Sequence, residues 1–380
     1  MYAADMSRPR LVLSALSVAG FVVGCDVAAP PPPPPPEPVP GWALARPFPN
    51  IRALSDVDVY GSGVDGITAA YAVGTDGAIL KYDGTQWSDE SVDSGVDLEA
   101  VSVFVDGEGV ETVLAVGAAG TVLARAQDDD GPGSWSIVAS GVDKHLFGVW
   151  AANHEDAFIV GDDGTVLRYD GTTLTLLVEE VLIDTETVDP ETGDPIFFPI
   201  ADPLKSVQGR GPDDVWAVGP RGLAYRFNGT AFVRDLTNTN RPLADVFVEA
   251  GIWAAATDGV LLRRRDDGWS DSEFVAPAPV FLQGIWGRGD GDVFAIGMAE
   301  EIFHNENGAW NITFVEEASE FRALDGAELV RPADAPDDFV TQREVLVVGA
   351  GGRIVRGPLV LPRAGEVALT TRPAIDPDAE

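Results

Sequence analysis

The chain has 380 residues, 45% of them hydrophobic, and 42 glycines, a composition that excludes an intrinsically disordered protein and suits one large turn-rich domain or two ordinary ones. Its 61 acidic and 25 basic residues give a formal net charge of -36, which repels nucleic-acid phosphates and anionic lipid headgroups and favours cationic partners. Cys25 is the single cysteine, so no disulfide framework can form within the chain.

Residues 1–24 read as an export signal rather than as part of the fold. Arg8 and Arg10 precede an unbroken run of apolar and small residues from Leu11 to Val23. As a helix this run rises only about 20 Å, short of a bilayer core of roughly 30 Å, and it has the length of a signal peptide. It ends in Val22-Val-Gly-Cys25, which resembles the lipobox of bacterial lipoproteins. That resemblance implies cleavage before Cys25 and lipidation of its thiol. Residues 25–40 follow as a tether, with Pro30 to Pro36 consecutive and Glu37-Pro-Val-Pro40 after them. Prolines in series form a polyproline II rod, and eleven such positions reach about 34 Å. The tether is expected to be disordered apart from that stiffness and to hold a domain away from a membrane.

From residue 41 to 365 one unit recurs. Its register mark is an apolar–Gly pair, at Val73-Gly74, Val116-Gly117, Val160-Gly161, Val218-Gly219, Ile296-Gly297 and Val348-Gly349, with a degenerate copy at Ala256-Thr257. The spacings are 43, 44, 58, 38, 40 and 52 residues, which makes seven units of propeller-blade length. Each unit offers four strand candidates. Leu146 to Trp150 exemplifies the first, Asp214 to Gly219 the second and Thr165 to Tyr169 the third. The fourth starts at Trp87, Trp135, Trp269, Trp310 or, equivalently, Phe232. Asp83-Gly84, Asp170-Gly171 and Asn228-Gly229 suit tight hairpin turns. No long helical period lies between strands, against a βαβ design. The nine tryptophans fall mostly at equivalent positions and read as wedge filling between blades rather than as a sugar-stacking platform.

The expected fold is therefore all-β, a seven-bladed β-propeller. The seventh unit lacks a Gly-x-Trp outer strand, and Gly41-Trp42-Ala-Leu-Ala-Arg46 can supply it, closing the ring and hiding sheet edges. The alternative is completion by Leu359 to Leu361 or Val367 to Leu369. Two insertions break the rhythm: 179–203, read as a protruding hairpin with apolar arms, and 327–343. Residues 366–380 are expected as a tail, loose after Thr371.

The segment from Leu146 through Val160-Gly-Asp-Asp-Gly-Thr-Val-Leu-Arg-Tyr-Asp-Gly171 resembles repeats of secreted and lipid-anchored propeller-like proteins common in myxobacteria. It is also similar to the photosystem II assembly factor group and to Asp-box, sialidase-like repeats. The resemblance covers roughly residues 41–360 and implies a propeller. The Asp-box serine is missing from Tyr82-Asp-Gly-Thr-Gln-Trp87, which weakens any transfer of activity from the glycosidase families.

Chemistry is sparse. His145, His154 and His304 are the only histidines, and no nucleophile elbow or phosphate loop is present. Arg210, Arg221, Arg226 and Tyr225 fall within one unit, unlike an arginine cluster over a ring centre, and read as solvent-facing or structural. Asp128-Asp-Asp130, Asp162-Asp163 and Asp290-Gly-Asp292 are candidate calcium loops without EF-hand spacing. No catalytic residue, cofactor site or metal site is assigned, and Cys25 is the one assigned modification site. The sequence points to an envelope-anchored binding or scaffolding lipoprotein, at the outer membrane or cell surface rather than the inner membrane, whose partners are the membrane through Cys25 and an envelope protein or glycan. The alternatives are a glycan-acting hydrolase or lyase, with carboxylates converging in the central mouth, and an assembly factor for another envelope protein.

Overall fold

The computed structural model describes residues 41–46 and 52–373, apart from 65, 94, 127–132, 179, 183–196, 200–201, 250, 277–279, 290, 316–319, 330–342, 360–366 and 369–370. Cys25, the apolar run and the proline series lie outside the described residues, as do Asp128 to Asp130, Asp290 and the middles of both insertions. Among the described residues no helix is long and apolar enough to cross a membrane.

The strands form seven antiparallel-built sheets, one per repeat, arranged as a β-propeller. Their second strands are Gly66–Gly74, Glu111–Gly117, Asp156–Gly161, Asp214–Gly219, Ile252–Ala256, Asp292–Gly297 and Arg343–Gly349. Six of them end on the apolar–Gly marks read from the sequence, and the exception is blade 5. These strands are buried on both faces, and alternation along them assigns one face to each neighbouring blade. In blade 1, Tyr71 and Val73 pack with Leu98, Val113 and Ala115 of blade 2. Ile67, Ala70 and Ala72 pack with Leu346, Val348 and Ile354 of blade 7. The same division produces apolar wedges between the other blades. All nine tryptophans are buried or half-buried, which places them in the core as expected.

The glycine that ends a second strand answers to a close approach. A Cβ on Gly74 would lie 1.9 Å from the Ala53 carbonyl oxygen, and one on Gly219 would lie 2.3 Å from that of Pro203. The residue after Gly74, Thr75, donates its N–H to the same Ala53 oxygen at 2.9 Å. In blade 5 that donor is Thr257, to Pro242 O at 2.9 Å, and Ala256 pairs with Leu243 as Gly74 pairs with Leu54. The blade 5 mark therefore sits on Ala256, one residue earlier than the spacing from Thr257 supposes.

The ring closes through the N-terminal strand. Gly41–Arg46 pairs antiparallel with Ile354–Leu359 as the fourth strand of blade 7. Val367–Ala368 then adds outside it, so both sequence alternatives contribute. Thr371–Pro373, placed in the tail from sequence, pairs with Ala309–Val315, the outer strand of blade 6. The first insertion does not simply protrude. Its arms, Glu180–Leu182 and Phe197–Pro199, form a hairpin, and Leu182 pairs in parallel with Val233 of the outer strand of blade 4. Outer edges of blades 4, 6 and 7 are thus covered by segments of the chain itself.

Closure makes a specific claim on Trp42, which is 5% exposed and packs in the core of blades 5 to 7. Trp42→Ala should lower stability by about 3–5 kcal/mol, the range for emptying a buried aromatic site. A denaturant midpoint within error of the parent would show that the strand is not part of the closed ring.

Candidate functional site

Each innermost strand starts at or just after a fully buried apolar residue: Leu54, Leu98, Leu146, Leu204, Leu243, Leu282 or Phe321. Beyond these residues the seven strands line a central channel of about 1000 Å³. Counting from the buried residue, the first position rings one mouth and includes Glu99, Phe147, Lys205 and Arg322. The second and fourth positions lie deeper. There, side-chain oxygens accept hydrogen bonds from backbone N–H groups of the next blade, which have no strand partner on that side.

Asp56 accepts from Val101 N–H at 2.9 Å, and Asp58 accepts from Val103 N–H at 2.9 Å, joining blades 1 and 2. Ser102 accepts from Ala151 N–H at 3.1 Å, joining blades 2 and 3. Ser206 and Gln208 accept from Val246 and Val248 N–H, joining blades 4 and 5. Asp245 accepts from Ile285 N–H at 2.9 Å and from the Ser206 hydroxyl at 2.6 Å. Asp325 closes the circle by accepting from Val59 N–H at 2.6 Å. At the matching positions of blades 3 and 6 stand Gly148, Trp150, Gly284 and Trp286, which pack instead.

These carboxylates are half-buried, enclosed by the ring yet open to the channel. Removal from water pushes Asp56 up to about 8, despite backbone hydrogen bonds from Val101 and Val57 that favour its charged form. The same cause lifts Asp58 to about 6, and Asp245 moves in the same direction. Burial, together with the neighbouring charge of Asp58, drives Asp325 well above the usual carboxylate range. The acidic side chains therefore do gather inside the ring, but each holds a backbone N–H of the adjacent blade.

The three histidines separate. His145 Nε2 lies 3.1 Å from Glu99 at the mouth, with its ring stacked on Phe147 at 4.6 Å. His154 Nε2 lies 3.0 Å from Asp106 between blades 2 and 3. His304 Nε2 lies 2.9 Å from Asp292 in blade 6. Asp292, from the third candidate calcium loop, is occupied by Arg288 and Arg343, each at 2.9 Å, as well as by His304. Burial alone would raise its pKa, but the hydrogen bonds from His304 and Arg288 and the charge of Arg343 outweigh that and hold it below the ordinary value. Asp162 and Asp163 form a tight turn, with Asp163 paired to Lys144 at 2.5 Å. Among the described residues no group of three His, Cys, Asp or Glu side chains is placed to hold a metal ion. Arg210 and Arg226 both pair with Asp214, in keeping with a structural role, and Arg221 pairs with Asp202. The channel carboxylates were missed in the sequence because single acids inside short strands look like surface charge; their equivalent offset from a buried Leu or Phe was the available signal.

No family model matches the chain, and no curated protein matches it in sequence. Solved structures do match. YCF48 from Cyanidioschyzon merolae is 17% identical with a TM-score of 0.57, over 83% of this chain and 98% of its own. YCF48 bound to D1 peptide is 16% identical with a TM-score of 0.56, over 86% and 99%. A catalytically inactive virginiamycin B lyase from Staphylococcus aureus with quinupristin is 12% identical with a TM-score of 0.58, over 83% and 98%. The likeness is one of fold. It is shared with YCF48 and with virginiamycin B lyase alike.

A raised carboxyl pKa has a defined linkage consequence. Between the unfolded value near 4 and about 8, folded Asp56 keeps a proton that the unfolded chain releases, so its contribution to stability falls as pH rises through that window. Asp56→Asn keeps an oxygen for Val101 N–H and removes the titration. Melting temperature recorded from pH 4 to pH 9 should decline less steeply in the variant than in the parent. Parallel curves would show that Asp56 ionises normally.

Proposed function

We propose that this chain is a lipid-anchored envelope protein whose propeller holds a segment of another envelope protein at the channel mouth during that protein's assembly. The observation that carries this reading is an exposed apolar pair at the rim. Phe281 is 54% exposed and Met298 is 46% exposed, and Met298 N–H donates to the Phe281 carbonyl at 2.8 Å. Met298 also lines the channel. A flexible thioether and an aromatic ring, both exposed on a rigid ring and joined through their backbones next to a cavity, suit capture of an apolar anchor residue. Structural likeness to a propeller bound to D1 peptide supports the same reading. Cys25 would carry the lipid, and the proline series would set the ring off the membrane. A hydrolase or lyase reading draws on the lyase-like structures and on the gathered carboxylates, but Asp56, Asp58, Asp245 and Asp325 are each held by the backbone of the next blade.

A photo-crosslinking residue replacing Gln283, beside the mouth, should join the intact protein in its own envelope to one defined segment of one client. Phe281→Glu with Met298→Glu should abolish that adduct while leaving the fold, judged by circular dichroism, intact. An unchanged adduct, or scattered adducts in both forms, would overturn the client reading.

Anchoring is tested separately. Cys25→Ser should leave the leader uncleaved and yield a protein without acyl chains, seen in the intact mass. Parent material lacking acyl groups would remove Cys25 from the proposal.

A further inference from the structure

The chain contains three lysines, against 22 arginines among its 25 basic residues. Two lysines are neutralised. Lys81 pairs with Glu111 at 3.1 Å, and Lys144 pairs with Asp163 at 2.5 Å, a bond that raises the Lys144 pKa. Lys205 differs from both. It is half-buried at the channel mouth, its Nζ lies 3.2 Å from the centre of the Phe147 ring, and among the described residues no carboxylate stands within ion-pairing distance of it.

Its surroundings do not supply a direct counter-ion. Glu99 of blade 2 is engaged with His145, and Asp162 of blade 3 sits in the tight turn after the second strand; both act on Lys205 only through space. Asp245 of blade 5 is bound to Ser206 and to Ile285 N–H. Burial lowers the Lys205 pKa, against the opposing charges of Asp162 and Glu99. A half-buried amine without an ion-pair partner, its pKa lowered by burial and its position opening on a cavity of about 1000 Å³, has the setting that favours lysine as a nucleophile.

We propose that Lys205 takes a carbonyl-bearing ligand, an aldehyde or ketone, at the channel mouth as an imine. The neutral amine places its lone pair on the carbonyl carbon, Nζ gives up one proton and the carbonyl oxygen takes one up, giving a carbinolamine. That oxygen then leaves as water as Nζ gives up its second proton, which leaves a C=N bond at Nζ. One water is released, no electron is transferred, and no oxidant or reductant is needed. The imine site stands apart from client capture: adduct formation without a client, or a client without adduct formation, separates the two readings.

The probe is pyridoxal 5′-phosphate, an aldehyde, added at neutral pH to the intact protein and fixed with borohydride, with modified peptides located by mass spectrometry. Lys205 should be labelled at least about tenfold faster than Lys144, as expected for an activated amine compared with an ion-paired one. Lys205→Arg keeps a cation over Phe147 and cannot form an imine, so it should remove the adduct while leaving the melting temperature unchanged. Lys144→Arg should leave labelling of Lys205 intact. Equal labelling of the two lysines, or labelling that persists in Lys205→Arg at the parental rate, would overturn the proposal.

Discussion

The ring depends on how the inner edges of its blades are satisfied. An innermost strand pairs with only one neighbour in its own sheet, so alternate N–H groups face the adjacent blade without a strand partner. Asp56, Asp58, Ser102, Ser206, Gln208, Asp245 and Asp325 supply the acceptors. Each bond runs from one blade to the next, and Asp325 to Val59 joins the last blade to the first. Five of the seven inter-blade seams have such a bond among the described residues. The remaining seams follow blades 3 and 6, where Gly148 and Gly284 let the next strand approach closely. A Cβ on Gly148 would lie 3.3 Å from Val207 N, and one on Gly284 would lie 2.6 Å from the Leu324 side chain. Polar stitching and close packing are alternative ways of meeting the same constraint.

A second regularity acts farther out. The residue opposite the middle of the second strand, on the third strand, is Lys or Arg in four blades, where Lys81 faces Tyr71, Arg168 faces Phe158, Arg226 faces Trp216 and Arg263 faces Trp253, and in blade 6 it is His304, facing Phe294. These four cations lie over the facing ring at 5.2 to 5.7 Å, and His304 stacks on Phe294 at 4.0 Å. Acids at the start of the second strand complete the arrangement in blades 3, 4 and 6, where Asp156, Asp214 and Asp292 bind Arg168, Arg226 and His304. Much of the basic complement is therefore committed to blade structure. This leaves a net acidic surface and makes a cation at the mouth without an ion-pair partner, such as Lys205, chemically conspicuous.

Blade number, strand order and ring closure were legible because the controlling residues are local. A glycine under a carbonyl 1.9 Å from where its Cβ would sit cannot drift, so Gly74 and its equivalents mark the repeat. Blade 5 shows the limit of that signal: with alanine in the glycine position, spacing alone placed the mark on Thr257. The pairing of Leu182 with Val233 was not legible, since a parallel contact across about fifty residues leaves no local pattern. The seam acceptors were also hidden. Asp56 and Asp245 are two of 61 acidic residues, and it is the closed ring that brings their oxygens to backbone N–H groups of another blade.

The channel carboxylates also constrain what the mouth can do. Their oxygens are turned toward the seams, and Asp56 retains its proton up to about pH 8. The deeper tier therefore presents less negative charge to a ligand than its composition suggests, and a cationic group inserted there would compete with the bonds that close the ring. The proposed recognition is better placed above that tier, where Phe147, Lys205, Phe281 and Met298 are not among the side chains that accept the backbone N–H groups of the next blade. The same separation lets the proposed binding and stability coexist in one channel: substitutions at the rim leave the bonds between blades in place, whereas substitutions in the deeper tier remove them.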